Sequence, residues 1–206
     1  GVRYDVGPSA ENDRSCAGAA DSDERLMEAI ARGNAASFAV VVERHTPALY
    51  RVCYRMLRDG SESEDVVQEC FTRLWLTAPG WKAKGAGLIA WLHRVAMNLC
   101  LDRLRKPAVI VTDTFPDLRD EGRLPDQWIE SEETRHVIEE ALAILPNHYR
   151  AALVLSYYEG FPNAVAAEVL DMNVKAFESL LGRARRHLRK LLEARELTVS
   201  DIEALA

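Results

Sequence analysis

The sequence predicts an all-α protein made of two small helical domains joined by a flexible acidic linker. Apolar residues recur at spacings of three and four over most of the 206 residues, which is the period of an amphipathic helix. No alternating pattern persists long enough to form a sheet, apart from a short stretch at 109–111. A proline-rich acidic stretch divides the helical pattern in two, and we place the domain boundary there.

The first domain is predicted over residues 22–106, after a disordered tail at 1–21 that is rich in Gly, Ala, Ser and Asp. Its first helix is short and begins after Ser22, a residue whose hydroxyl can cap a helix. A longer apolar stripe at 38–56 predicts a second helix, which Pro47 is expected to kink or divide because its ring removes a backbone donor.

The rest of the first domain contains two further helices and one loop. Gly60 is predicted to end the second helix, and Ser61 to begin the third as a capping box with Glu64. Residues 77–87 have three glycines, one proline and no apolar stripe, which predicts a loop. A fourth helix is expected over 88–106, because apolar residues recur there and a proline follows.

The second domain is predicted over 132–195, between the linker at 107–131 and a C-terminal tail at 196–206. Its last two helices are expected at 163–170 and 174–192, with only three residues between them. Two helices joined by so short a turn form a helix-turn-helix.

The helix-turn-helix predicts contact with duplex DNA. Asp171 tolerates the left-handed backbone of the turn, and Asn173 can cap the second helix. In the usual pose, the early side chains of that helix enter the major groove and later arginines contact phosphates. These positions are Lys175, Glu178 and Ser179, followed by Arg183, Arg185 and Arg186. A solvated basic face, or a face packed on a protein partner, is the alternative that this pattern leaves open.

Charge is unevenly distributed, although the net charge is −6. The net charges are −2 for residues 1–21, +3 for 22–106, −5 for 107–135 and −2 for 136–206. Basic residues bunch near the end of each helical block, where they form two basic patches. The acidic total therefore does not exclude nucleic acid as a partner.

Cysteine and leader patterns favour a reduced, cytoplasmic protein. The four cysteines are widely spaced, and three of them lie inside helical patterns, which favours free thiols over disulfides. Neither a secretory leader nor an apolar stretch long enough to span a membrane is evident, so we expect no membrane insertion.

Nothing in the sequence points to an enzyme. The five histidines show no spacing typical of a zinc site, and phosphate-binding loops of the P-loop or dinucleotide type are absent. We therefore expect no catalytic residue, no metal and no cofactor.

Three motifs in order carry a resemblance to a known family. Residues 64–69 read EDVVQE, and the helix at 88–106 contains AWL, an asparagine and then DRLR. Residues 145–161 read LPNHYRAALVLSYYEGF and precede the helix-turn-helix. Together these motifs resemble the sigma-70 family of bacterial RNA polymerase initiation factors, in the compact form of the extracytoplasmic function (ECF) group. The resemblance implies that the first domain is sigma region 2 and the second is sigma region 4.

The resemblance implies the following roles for surface residues. Glu64, Asp65, Gln68 and Glu69 would bind core RNA polymerase. The loop at 77–87 would capture a flipped base of the −10 promoter element, and the helix after it would face the same DNA. The −10 residues would be Trp81, Lys82, Lys84, Arg94, Asn98, Asp102, Arg103 and Arg105. The −35 element would contact the helix-turn-helix residues named above.

Two departures from the family pattern concern the helix-turn-helix. Glu178 and Leu180 stand where the family commonly has basic residues, and Ala164 and Val165 stand where it usually has charged ones. The apolar positions favour a protein inhibitor, an anti-sigma factor, as a further partner. They also favour a compact inactive arrangement in which the two domains close on each other.

The function expected is promoter recognition and DNA opening together with core polymerase. A stand-alone helix-turn-helix regulator is the first alternative, but it leaves EDVVQE and the whole first domain unexplained. A helical adaptor that binds only proteins is the second, and it leaves the two basic patches unexplained.

Overall fold

The computed structural model describes residues 22–105 and 132–194. These residues form eight α-helices and no strand, which confirms the all-α prediction. The helices are α1 Asp23–Ala31, α2 Ala35–Leu57, α3 Gly60–Thr77, α4 Gly87–Arg105, α5 Glu132–Ile144, α6 Asn147–Leu153, α7 Asn163–Val169 and α8 Val174–Glu193. The predicted tails at 1–21 and 196–206 and the predicted linker at 107–131 lie outside the described residues.

Helix α2 is the centre of the first block, and both α3 and α4 pack along it. Its buried side chains include Val41, Leu49 and Met56, which repeat at helical spacing. Pro47 lies inside α2 without dividing it. Ser22 caps α1 as predicted, since its hydroxyl accepts a hydrogen bond from the amide of Arg25.

The junction between α2 and α3 differs from the prediction. Helix α2 ends at Leu57, not at Gly60, because Arg58 adopts a left-handed backbone with φ of 56°. Gly60 is the first residue of α3, and Asp59 is its cap: the carboxylate accepts the amide of Glu62 at 2.8 Å. The predicted capping box of Ser61 is therefore wrong. Asp59 precedes it by two residues and satisfies the free amides of the first turn.

The second block closes around one face of α8, where Phe177, Leu188 and Leu192 are fully buried. Helix α6 continues directly into a π-helical turn over Val154–Tyr158, in which the amide of Glu159 donates to the carbonyl of Val154. Pro146 stands just before α6 as its cap residue.

The helix-turn-helix has the predicted geometry. Asp171 adopts a left-handed backbone with φ of 55° in the turn between α7 and α8. The side chain of Asn173 caps α8 by accepting the amide of Ala176 at 2.8 Å. Both local predictions are confirmed, and they fix the angle at which α8 leaves the turn.

The two blocks lie against each other. Helix α4 of the first packs on α7 of the second, and α2 packs on α5, α6 and the π-turn. None of the helices within 22–105 and 132–194 has both the length and the apolar character needed to cross a bilayer.

Candidate functional site

An exposed polar face runs along the first half of α3. Glu64, Asp65 and Gln68 are exposed, whereas Val66 and Val67 are buried against the rest of the block. This separation follows from the helical period, because positions 64, 65 and 68 share one side of α3. We call Glu64, Asp65 and Gln68 the α3 face. It presents two carboxylates and one amide to a partner.

Glu69 differs from the other three predicted polymerase-binding residues. It is only partly exposed, and its carboxylate lies 3.7 Å from the guanidinium of Arg103 on α4 and 2.5 Å from that of Arg73. Arg103 also donates to Glu62 at 2.7 Å. The structure therefore places Arg103 beside α3, away from the other predicted −10 residues of α4.

The segment between α3 and α4 forms one wall of an open cleft. A 3-10 turn at Ala78–Gly80 leads into it, and the ring of Trp81 packs edge-on against Trp91 with centroids 5.6 Å apart. Trp81 is thus half-buried, while Lys82 and Lys84 are exposed. The cleft has a volume of about 340 Å³ and is lined by both lysines, both tryptophans, Arg94 and the second block's Glu168.

The outer face of α4 continues from this cleft. Arg94, Asn98, Asp102 and Arg105 follow one another at intervals of four, four and three residues, and so share one side of the helix. Asn98, Asp102 and Arg105 are exposed, and Arg94 is partly exposed. The structure brings these four together with Lys82 and Lys84 on one side of the first block.

All six predicted −35 residues are exposed on α8: Lys175, Glu178, Ser179, Arg183, Arg185 and Arg186. Opposite them, the Phe177 and Leu181 side chains point into the core. Arg185 is set apart from the others, because its guanidinium lies 5.4 Å from the ring centre of Tyr157. Glu178 is held near the start of α7, where the amide of Asn163 donates to it at 3.5 Å.

Contacts between the two blocks involve Arg94, one of the predicted −10 residues, and several residues for which the sequence predicted no role. The His93 ring lies 3.2 Å from the Glu159 carboxylate; His93 is buried and Glu159 is partly buried. Arg94 pairs with Asp171 at 2.7 Å, and the amide of Ala86 donates to Glu168 at 3.1 Å. For these contacts the sequence offers one signal: His93 follows Leu92 on the apolar side of α4. That position predicts that His93 is buried but does not predict its partner.

A second set of contacts joins α2 to the other block. Arg58 donates to the main-chain oxygen of Glu139 at 2.7 Å, and Arg55 stacks over the ring of Tyr158 at 4.1 Å. Arg150, from α6, is buried and donates to the main-chain oxygen of Met56.

Metal ligands do not converge in the part of the chain that the structure describes. Within 22–105 and 132–194, no three His, Cys, Asp or Glu side chains form a group that could hold a metal ion. Cys53, Cys70 and Cys100 are free thiols buried in the first block. Burial raises the pKa of Cys70 to about 12, so its thiol is protonated at neutral pH.

Known proteins resemble this chain over both blocks. The sequence profile of Sigma-70 region 2 matches residues 41–108, and that of Sigma-70, region 4 matches residues 135–188. The ECF RNA polymerase sigma factor SigL of Mycobacterium tuberculosis is 31% identical over 165 residues, or 79% of this chain and 93% of SigL. SigW of Bacillus subtilis, another ECF RNA polymerase sigma factor, is 28% identical over 82% of this chain and 96% of its own length.

A solved structure extends the likeness to three dimensions. CnrH, determined in complex with the cytosolic domain of CnrY, superposes with a TM-score of 0.64. The two chains are 29% identical, and the match covers 84% of this chain and 99% of CnrH. Neither block alone makes up 84% of this chain, so the structural match includes both blocks. With both sigma regions present, in order, on an all-helical fold, the chain belongs to the ECF group of the sigma-70 family of RNA polymerase sigma factors.

Proposed function

We propose that this protein binds core RNA polymerase, recognises the −10 and −35 promoter elements and promotes DNA opening at the start of transcription. It acts as an initiation factor and not as an enzyme, as its family does. The observation that supports the proposal is the presence of three separate exposed surfaces on the two helical blocks. These are the α3 face, the basic side of the 81–86 segment with α4, and the outer side of α8.

The α3 face suits a large basic protein partner. Its carboxylates are exposed, and Val66 and Val67 beneath them anchor the helix, so binding requires no rearrangement of the core. Core polymerase is the partner that we assign to it.

The side of the first block that carries Lys82, Lys84, Arg94 and Asn98 suits an unpaired DNA strand. Two exposed lysines offer charge for phosphates, and the cleft beside the Trp81 ring can receive an extruded base. Asn98 can both donate to a base edge and accept from one. We assign the −10 element to this side.

Helix α8 suits the duplex of the −35 element. Lys175, Glu178 and Ser179 lie in its first two turns, where a recognition helix contacts base edges. Arg183 and Arg186 follow on the same side and suit phosphates.

A protein inhibitor is the remaining partner that we propose. The solved relative CnrH is held by the cytosolic domain of another protein, CnrY. We infer that an anti-sigma factor controls this chain in the same general way, and that the chain acts in the cytoplasm, where the chromosome and polymerase are found.

In vitro transcription with purified core polymerase on a library of random promoters tests the proposal. We expect transcripts that start downstream of two shared sequence elements, and none when the protein is omitted. Sequence-specific binding of duplex DNA without polymerase would indicate a stand-alone regulator. Binding to polymerase without any transcript would indicate an adaptor.

A further inference from the structure

The outer side of α8 carries a carboxylate among its basic and hydroxyl side chains. Glu178 lies in the second turn of the helix, beside Ser179 and one turn after Lys175, and all three side chains are exposed. Phe177 and Leu181 point the other way, into the core. The side of α8 that we assign to the −35 element therefore presents a negative charge next to its cations.

The protein itself leaves this carboxylate largely free. Among the described residues, 22–105 and 132–194, no lysine, arginine or histidine pairs with Glu178. Its Oε1 atom accepts a long hydrogen bond, 3.5 Å, from the side-chain amide of Asn163 at the start of α7. Within the same described ranges the Oε2 atom has no donor. One carboxylate oxygen is thus left for a donor from outside the chain.

A carboxylate at this position opposes binding to DNA in general. Phosphates line both edges of the major groove, and lysine and arginine supply the attraction to them. Glu178 adds repulsion beside Arg183 and Lys175, so it weakens contact with any sequence that offers it no donor. A charge that lowers the affinity for most sequences, and spares those with a matching donor, contributes specificity.

The major groove offers a carboxylate few donors. Amino groups are presented only by cytosine, at N4, and by adenine, at N6, whereas guanine and thymine present acceptors. Adenine N6 lies beside the acceptor N7, which repels a carboxylate and instead suits the amide of asparagine or glutamine. Cytosine N4 has no such acceptor beside it on its own base. Cytosine is therefore the base that matches Glu178.

Lys175 has the complementary chemistry. Its ammonium group only donates, and so it suits the O6 and N7 acceptors of guanine. A separation of three residues places Lys175 and Glu178 about 4.5 Å apart along the helix axis. Stacked bases of one strand are about 3.4 Å apart, so the two side chains reach neighbouring base pairs. Ser179 can donate or accept and adds no fixed preference.

We propose that Glu178 selects a cytosine in the −35 element and that Lys175 selects a guanine in the neighbouring base pair. This inference rests on the proposed function, which assigns the −35 duplex to α8, and it goes further by naming the bases. The hydrogen bond from cytosine N4 to Glu178 offsets the repulsion by the phosphates. With any other base at that position the carboxylate stays unpaired in the groove.

Selection of bound promoters tests the inference. The whole chain with core polymerase is mixed with a library of random duplexes, and the bound fraction is recovered by gel shift and sequenced. We expect a shared upstream element in which one C·G pair is favoured over each other pair by about tenfold or more, as is usual for one well-made base contact. An adjacent position should favour guanine.

Glu178→Gln is the test variant. A carboxamide donates as well as accepts and pairs with N6 and N7 of adenine, so the favoured base should change from cytosine to adenine at that position alone. Glu178→Ala should remove the preference there and raise the affinity for unselected duplexes. Glu193→Gln is the matched control, because it removes the same charge from an exposed position at the other end of α8. The control should keep cytosine.

The outcomes separate the inference from the proposed function. A shared upstream element without the cytosine, or a cytosine that Glu178→Gln and Glu178→Ala both retain, would overturn the role of Glu178 and leave the proposed function standing. A guanine that Lys175→Ala retains would overturn the role of Lys175. Failure of the polymerase complex to select any shared element would remove the proposed function, and the assignment of bases with it.

Discussion

The guanidinium of Arg150 donates a hydrogen bond to the main-chain oxygen of Met56, with nitrogen and oxygen 2.6 Å apart. The same guanidinium donates to the main-chain oxygens of Leu142 and Ala143. One buried cation thus satisfies carbonyls at the C-terminal ends of α2 and α5, which belong to different blocks. Burial, and then the nearby Arg58, lowers the pKa of Arg150.

Replacing this cation should destabilise the fold. We expect Arg150→Met to lower the free energy of unfolding by about 1–3 kcal/mol, because buried carbonyls lose their donor. Urea denaturation followed by circular dichroism measures the change. Arg189→Met, at an exposed position of α8, is the control and should change stability by less than about 0.5 kcal/mol. Equal stability of the two variants would contradict the role given to Arg150.

The α3 face is tested by charge reversal. We expect Asp65→Lys with Gln68→Lys to abolish binding to core polymerase and to leave the helical fold intact, because both side chains are exposed. Co-purification with tagged core polymerase measures binding, and circular dichroism checks the fold. The Glu28→Lys, Glu193→Gln variant changes the net charge equally and should co-purify normally. Normal co-purification of the α3 variant would remove this surface from the proposal.

Lysine and asparagine variants distinguish DNA opening from duplex binding. We expect alanine at Lys82, Lys84 and Asn98 to reduce promoter opening more than initial binding, because these side chains should meet the unpaired strand. Permanganate reactivity of unpaired thymines measures opening, and a gel shift of the polymerase complex measures binding. Lys175→Ala on α8 should give the reverse pattern, a loss of duplex binding. Normal opening in the first variant would refute the −10 assignment.

Gly85 offers a test of the contact between the two blocks. We expect Gly85→Ala to lower the free energy of unfolding, because the new methyl group meets Glu168 and because a left-handed alanine costs about 1 kcal/mol. Adding Glu168→Ala removes the steric part, so the two changes should be less than additive in urea denaturation. Strict additivity would show that Gly85 and Glu168 do not interact.

Burial of the cysteines predicts that their thiols react slowly with reagents and that the stability of the fold depends on pH. A hydrogen bond with Cys100 and burial raise the pKa of Cys53, and burial raises that of Cys70 to about 12. In a Cys16→Ser variant we expect almost no reaction with a disulfide reagent at pH 8 until the protein is unfolded.

The sign of the pH effect follows from the raised pKa. The folded state holds the Cys70 proton more tightly than the unfolded state, whose thiol has a pKa of 9.0. Its contribution to stability is complete below pH 9.0 and is lost as the pH rises toward 12. Cys70→Ala should lose less stability over that interval. An equal loss would contradict this assignment.

Periodic patterns predicted the helices well, since burial enforces a repeat that can be seen in the sequence. The apolar stripe of α2 and the Asn173 cap of α8 are examples. The start of α3 was missed because Asp59, Ser61 and Ser63 can all cap a helix, and only the left-handed Arg58 selects Asp59.

The interface between the blocks lay beyond prediction for a physical reason. Its contacts join polar side chains such as His93 and Glu159, which are 66 residues apart and belong to no repeat. The resemblance groups Arg103 with the −10 residues of α4, and in the structure its guanidinium lies beside Glu62 and Glu69 of α3. Spacing along the sequence assigns a residue to one face of its own helix. It does not show which neighbouring helix supplies the partner of that side chain.

The π-turn at Val154–Tyr158 changes the direction, around the helix axis, in which the residues after it point. Each residue of an α-helix advances the chain by about 100° around the axis, and a π-turn contains one residue more than an α-turn. Tyr158 is the last residue of the π-turn and contacts Arg55, and Glu159, which contacts His93, comes directly after the turn. A one-residue deletion here would leave the helices on either side intact yet rotate everything downstream. Sequences of this family that differ by one residue at this point should therefore share both domains and differ in how those domains face each other.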